Sequence, residues 1–474
     1  MPDLGRRVGN KMKLIRMKYP ITFVLLICLA WPAGAAEPRE VKSGDKPARK
    51  RQRIIQVVNQ ETANAEPAAE SSPAAAESSP TPIPAQAVRS WTLAELESVA
   101  NTVHPMLQRD FLRIESARGD ALQAGLLPNP HFDTNNPQVF NGQGSLFNAG
   151  IMQEFVVRGK KRLDRAAATK IVQQNEFAYV QDRFALLTAL RQEFYVVLAA
   201  QRRVNVLNRL EKITSSSLET GRLYEHPAGE VAHIDVLVLE IDNQRVQSDL
   251  ENAVRLLRGA RNQLAAIVGD QSISNDGFQG SLYDPPPQYD EEILKRFASM
   301  DSAYVQIAKL DIERNEILLK RAVVEPYPNV TLGPAYQWGL QNGSDQFWLT
   351  VTFPIPTWDR NQGNIISQGA DLAASRQNLE AVKLEQLRRV ADSFSRHRAV
   401  RAQAAKYEKQ IIPNVTKTMN LAKQGFAAGE YDFSRFLQVQ RTVVEAHMAY
   451  IDLLENVWTT AAELSGLLQL EQFQ

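Results

Sequence analysis

Apolar residues recur along this chain with two different periods, and each period returns about 200 residues later. From Lys160 to Leu223 the sequence contains no proline and one glycine, Gly221. Within that stretch Phe177, Val180, Phe184, Leu187, Phe194 and Leu198 are separated by three, four or seven positions. This is the seam of a long helix packed in coiled-coil fashion. Residues 364 to about 426 repeat the pattern with Val390, Phe394, Ala404, Tyr407 and Ile411, interrupted by Pro413. At 1.5 Å per residue, about 60 helical residues reach roughly 90 Å, far more than a globular domain needs. The seams are read as packing surfaces.

The second period is two. Phe347, Leu349, Val351 and Phe353 alternate with Gln346, Trp348, Thr350 and Thr352. The pattern predicts strands over 131–140 and 146–157 around a loop at 141–145, and over 330–338 and 346–353 around a loop at 339–344. Alternation over about ten residues suits a tilted membrane strand, and it suits a soluble hairpin equally well. A helix is expected to start at Ser90 or Thr92, to break at His104-Pro105 and to resume until Leu127.

The two halves share a register. Pro130 and Pro328, Phe155 and Phe353, and Arg162 and Arg360 are each 198 positions apart, and Ala228-Gly229-Glu230 returns 200 positions later as Ala428-Gly429-Glu430. A period this long marks a duplicated domain, not a solenoid unit. Each long helix is expected to reverse at a tip, 221–230 in one copy and 425–430 in the other. The glycines permit left-handed turn geometry there, and the acidic residues suit the start of the return helix.

The N-terminus changes the picture. Arg6, Arg7, Lys11, Lys13, Arg16 and Lys18 precede an apolar run over 21–30 and the small residues Ala33-Gly34-Ala35-Ala36, the pattern of a cleaved signal peptide. The run is too short for a permanent membrane helix. Met12 and Met17 are alternative starts to Met1. Cys28, the one cysteine, lies inside the run, where Ile27 disfavours lipid attachment. A mature chain would lack disulfides and cysteine chemistry. Removing residues 1–36 takes six basic residues and Asp3 from totals of 54 and 53, which leaves a net charge near −4 and no basic surplus for nucleic acid. The expected organisation is a signal peptide at 1–36, an Ala/Pro/Ser/Glu-rich disordered tether at 37–88, a first repeat at 89–275 and a second at 276–474.

With Leu127-Pro128-Asn129-Pro130, Gln153-Glu154-Phe155, Arg158-Gly159-Lys160-Lys161-Arg162, Phe353-Pro354-Ile355-Pro356 and two Gly-Glu tips in this order, the chain resembles the TolC-like outer-membrane efflux proteins over roughly residues 90–470. The resemblance implies an α+β membrane protein and a homotrimer. Each chain would give four strands to a shared twelve-stranded β-barrel in outer-membrane lipid, and long coiled-coil hairpins to a periplasmic α-helical barrel. It implies a passive conduit that docks a periplasmic adaptor and an inner-membrane pump. The run Phe-Val-Val-Arg-Gly-Lys-Lys-Arg at 155–162 looks most like members serving heavy-metal resistance-nodulation-division pumps, with metal cations or drugs as cargo. Type I protein secretion is an alternative, and a periplasmic coiled-coil adaptor or structural protein a more distant one. Four strands cannot close a barrel alone, and an open edge in lipid is not tolerated, so the physics agrees with a trimer.

By the same resemblance the tips Ala228, Gly229, Ala428 and Gly429 would dock the adaptor, and Asp235, Arg435, Asp432, Glu230 and Glu430 are candidates for the pore constriction. Asp235 and its second-copy equivalent Arg435 carry opposite charges, which allows a pairing in place of an acidic ring. For Glu230, Glu430 and Asp432, simple capping of the return helices explains the residue type equally well. His104, His131, His226, His233, His397 and His447 are scattered, with no metal-ligand spacing. No catalytic constellation, cofactor or metal site is expected.

Overall fold

The structure is a computed structural model, and it describes residues 89–134, 146–223, 233–339, 345–428, 430 and 433–473. The expected signal peptide, Cys28 and the tether lie outside the described residues, which all fall in the second of two units, Ala85–Gln474.

The first strand, β1 (Ser90–Trp91), leads into a capping box. The Thr92 hydroxyl accepts from the Glu95 N–H, the Glu95 carboxylate accepts from the Thr92 N–H, and α1 (Leu93–Val103) begins. His104 then takes an extended backbone, and Pro105 opens α2 (Pro105–Gly125), where a missing N–H costs nothing. Next come β2 (His131–Asp133), β3 (Leu146–Phe155), α3 (Lys160–Leu223) and α4 (His233–Val268). After a 3-10 turn at Gln271–Asn275, β4 (Gly277–Phe278) pairs in parallel with β1.

The second half repeats the first. It runs through α5 (Glu291–Met300), α6 (Ala303–Val324), β5 (Val330–Gly339), β6 (Gln346–Thr352) and α7 (Gln362–Lys406), then a π-helical turn at Tyr407–Ile411, α8 (Ile412–Ala427) and α9 (Phe433–Leu467). The π turn is the answer to Pro413. Proline removes one backbone donor and crowds the preceding turn, and widening that turn lets the helix continue. Of the strand expected over 131–140, the described part is His131–Asp133; the remainder and most of both expected loops lie outside the described residues.

Four strands form one antiparallel sheet in the order β2-β3-β5-β6, so the two hairpins join through β3 and β5. The core lies elsewhere, where α1, α3, α4 and α9 meet. Tyr195 and Trp458 stack there with centroids 4.3 Å apart, and Phe473 closes edge-on over both. Arg191 is fully buried beside them, donating to Glu97 (2.6 Å), to Ser465 Oγ (2.9 Å) and to the Leu470 and Glu471 carbonyls. The seam residues Phe184, Leu187, Phe194 and Leu198 are buried as their spacing predicted.

One local expectation is corrected. Gly221 and Gly425 do not make left-handed turns; both are inside helices, in α3 and α8. A Cβ at Gly221 would come within 2.7 Å of Leu239 Cδ1, so this glycine lets α3 and α4 approach closely.

Candidate functional site

The sheet registers decide which side chains share a face. Thr331 faces Thr352, Leu332 faces Val351, Pro334 faces Leu349 and Tyr336 faces Phe347 across β5 and β6. Across β3 and β5, Ala149 faces Tyr336, Gln153 faces Leu332, Glu154 faces Thr331 and Phe155 faces Val330, while Phe132 faces Ile151 on β2. Because directly opposed residues point the same way, one face collects Phe132, Ile151, Phe155, Leu332, Tyr336, Phe347, Leu349 and Val351. Gln153 shares that face; the other collects Asn148, Glu154, Thr331, Gln337, Gln346, Thr350 and Thr352, with Met152 and Trp348 among them. The apolar face lies open: Phe347 is 73% exposed and Leu349 59%. Among the described residues the outer edges of β2 and β6 have no partner strand. An apolar outer face, a polar inner face and two open edges are the components of a barrel wall that needs lipid on one side and further strands at each end. No helix among the described residues is long and apolar enough to cross a membrane.

Where the sheet meets the helices, the polar groups are tied together. Lys160, the first residue of α3, is buried and donates to the Glu325 carbonyl at 3.0 Å. Arg321 bonds both Asp164, at 2.7 Å, and Glu325. Burial works against its charge, yet Arg321 and Lys160 hold the Glu325 carboxyl below its ordinary range. Asn329 donates to Glu154 at 2.7 Å. These bonds anchor the start of α3 to the end of α6 just below the strands.

At the far end, the chain brings the two return helices together. Leu218 of α3, Val236 and Leu239 of α4 and Leu437 of α9 form a small apolar cluster. Asp235 stands in the first turn of α4 and Arg435 near the start of α9, both exposed. Among the described residues no ion pair joins them within the chain. The pair that does form lies two turns further on, where Arg441 of α9 bonds Asp242 of α4. Those positions are 199 apart, one short of the 200 that separates Asp235 from Arg435, so that offset applied to Asp242 points to Thr442 and misses Arg441. Beside them Thr214 donates to Asn243 at 3.1 Å, and Gln440 is buried with neither amide atom bonded. They border a cavity of about 140 Å³ between α3, α4 and α9. Ala428 and Glu430 are exposed, and the Glu430 N–H donates to the Gly425 carbonyl at 2.8 Å in the turn after α8. Ala228, Gly229, Glu230, Gly429 and Asp432 lie outside the described residues, as does His226.

The remaining histidines stay apart. His104 caps α2, and the buried His397 shares a hydrogen bond with Thr460 Oγ1 at 3.0 Å. Among the described residues no group of three His, Cys, Asp or Glu side chains could hold a metal ion.

Comparison with known proteins agrees with this architecture. The profile of the outer membrane efflux protein family matches residues 289–468, which covers most of the second half. The cobalt-zinc-cadmium resistance protein CzcC of Cupriavidus metallidurans is 23% identical over 386 residues, covering 81% of this chain and 91% of that protein. The solved outer membrane protein VceC of Vibrio cholerae superposes with a TM-score of 0.66 at 17% identity, over 80% of this chain and 96% of that one. CusC, a transmembrane channel protein, gives 0.67 at 13% identity, over 79% and 91%. With the duplicated strand pairs and long helical hairpins, these likenesses agree: residues 289–468 carry the profile of the outer membrane efflux proteins, and the chain has the fold of the outer membrane channels it superposes on.

Proposed function

We propose that three copies of the chain close a twelve-stranded barrel and a helical tube, and that this conduit passes heavy-metal cations delivered by an inner-membrane pump through a periplasmic adaptor. One observation carries the reading: a four-stranded sheet with an exposed apolar face, a polar opposite face and two open edges. Only closure by further copies satisfies those edges in lipid. The cargo assignment rests on the cobalt-zinc-cadmium resistance protein that aligns along most of both lengths.

In this proposal the tips around Ala228, Gly229, Ala428 and Gly429 receive the adaptor, because small residues allow close backbone approach. The constriction lies just above them. Asp235 and Arg435, apart within one chain, would meet across protomers, with Glu230, Glu430 and Asp432 either lining the mouth or capping helices. The strand-joining loops face the cell exterior, opposite the helices.

The test has three readouts. The full-length protein, extracted in detergent, is expected to run as a heat-modifiable trimer. Cysteines at Gly142 and Asn342 are expected to label in intact cells with an impermeant reagent. Deletion should sensitise the host to zinc, cobalt or cadmium more than to drugs. Recovery as a detergent-free soluble monomer refutes the channel, and unchanged metal tolerance beside a clear drug phenotype refutes the cargo.

A further inference from the structure

Apart from Lys160, the basic run after β3 has no role in the conduit described so far. Arg158, Lys161, Arg162 and Arg360 have no ion-pair partner among the described residues, although Lys160 and Arg321 beside them are fully engaged. The nearby carboxylates are mostly occupied. Glu154 accepts from Asn329, Asp164 and Glu325 from Arg321, and Asp359, next to Arg360, accepts from the Asn361 N–H at 2.8 Å. The unpaired cations are brought to one level. Arg158 holds a left-handed backbone, φ 58°, and its guanidinium lies 4.3 Å over the Tyr327 ring, at the end of α6. Lys160, Asn329, Ile355, Trp358 and Asn361 line one cavity of about 530 Å³ at the same level. Arg162 lies in the first turn of α3, which starts two residues after Arg158, and Arg360 follows Trp358 by two positions.

This level is the helix-side end of the sheet. The strand residues Phe155, Val330 and Thr352 mark where β3, β5 and β6 stop or start. The apolar surface does not stop with them. Ile355 is 73% exposed and Trp358 89%, the latter among the most exposed large side chains of the protein. An indole that far in the open, two residues before the unpaired Arg360 and at the foot of an apolar wall, matches the water boundary of a bilayer. Aromatic rings settle at the headgroup level there, and basic side chains reach anionic phosphates.

We infer that Arg158, Arg162 and Arg360, with Trp358 and Ile355, form a collar that recognises the anionic phospholipid headgroups of the periplasm-facing leaflet. The inference rests on the outer-membrane channel reading. It adds a lipid specificity, one that seats the barrel at a fixed depth through charge as well as apolar burial.

The test uses the full-length trimer reconstituted in vesicles of phosphatidylethanolamine mixed with phosphatidylglycerol, then re-extracted, with the retained lipid identified by mass spectrometry. Wild type is expected to retain phosphatidylglycerol enriched by roughly fivefold over its bulk share, the factor for one basic residue held at an anionic surface. The enrichment should fall as salt rises. The double variant Arg162→Gln/Arg360→Gln should lose it while keeping the heat-modifiable trimer. Equal retention of both lipids by wild type overturns the inference, and so does unchanged enrichment in the double variant. If that variant does not assemble, the wild-type salt titration decides, and enrichment that salt leaves untouched is the overturning result. Loss of enrichment on adding inorganic phosphate at equal concentration assigns the patch to free anions and overturns the lipid assignment. Insertion without enrichment removes only this inference, whereas a wild type that inserts in neither lipid removes the channel reading itself.

Discussion

Replacing Arg441 by glutamine removes one half of the ion pair that ties α9 to α4 near the helix tips, and replacing it by glutamate sets two carboxylates against each other. The structure bounds the effect. The Asp242 side chain is 13% exposed and that of Arg441 54%, so solvent screens the pair from one side. A half-exposed pair of this kind contributes about 1 kcal/mol. If the three protomers of a closed tube open together, three such pairs add to about 3 kcal/mol, or roughly a hundredfold in the ratio of closed to open channels. Gln440 next to the pair works in the opposite sense. Its buried, unbonded amide costs about 1–3 kcal/mol in this arrangement, so Gln440→Leu should tighten closure. The assay is single-channel recording in planar bilayers, supported by leak of a large antibiotic in whole cells. Arg441→Gln should lengthen open times, Arg441→Glu should do so more strongly, and the exchange Asp242→Arg/Arg441→Asp should recover part of the closure. If both single variants conduct like wild type, the pair only packs two helices and closure is held elsewhere.

Two further outcomes concern stability. Arg191→Met leaves the Glu97 carboxylate and two carbonyls unpaired in the core, so the variant should lose about 3–5 kcal/mol; an unchanged trimer dissociation temperature would show the site to be relaxed. Asp182 of α3 is pushed up by burial and by the neighbouring Asp110 carboxylate, whose Oδ2 is buried without a partner. A carboxyl raised in the fold destabilises when it ionises, so the cost is present at neutral pH, shrinks as pH falls through the raised value, and is gone below the ordinary aspartate range. Asp182→Asn should therefore stabilise the protein at neutral pH and lose that advantage in acid, as read by urea melts at several pH values; a pH-independent difference would contradict the pairing.

The chain alone determined the elements. A 64-residue helix was legible because its apolar positions keep helical spacing and nothing in it breaks a helix. The strands were legible because alternation has a period of two, and the duplication because the same residues return at a constant offset. These are local properties, carried by each segment whatever it packs against. The sequence also marked Asp235 and Arg435 as charge-opposed equivalents, yet the pair that forms is Asp242–Arg441. Asp242 and Arg441 were not singled out by the sequence; they meet within one chain where Leu218, Val236, Leu239 and Leu437 hold α3, α4 and α9 in one apolar cluster.

Only the tertiary structure decided that Gly221 serves helix approach and not a turn, since a helical glycine and a turn glycine look alike in a sequence. The same holds for Arg191, one of many arginines in the chain until the fold encloses it between α1, α9 and the C-terminal residues. The cross-strand register had to come from the fold as well, because alternation says that a strand has two faces but not which residue of another strand lies opposite. Once that pairing is set, scattered Phe, Leu and Val residues from both repeats become one continuous apolar wall. The unpaired Arg158, Arg162 and Arg360 fall at its foot because the chain turns from sheet to helix there. Local patterns follow from the chain's own covalent order, whereas contacts between residues some 200 positions apart exist only after the two repeats have packed together.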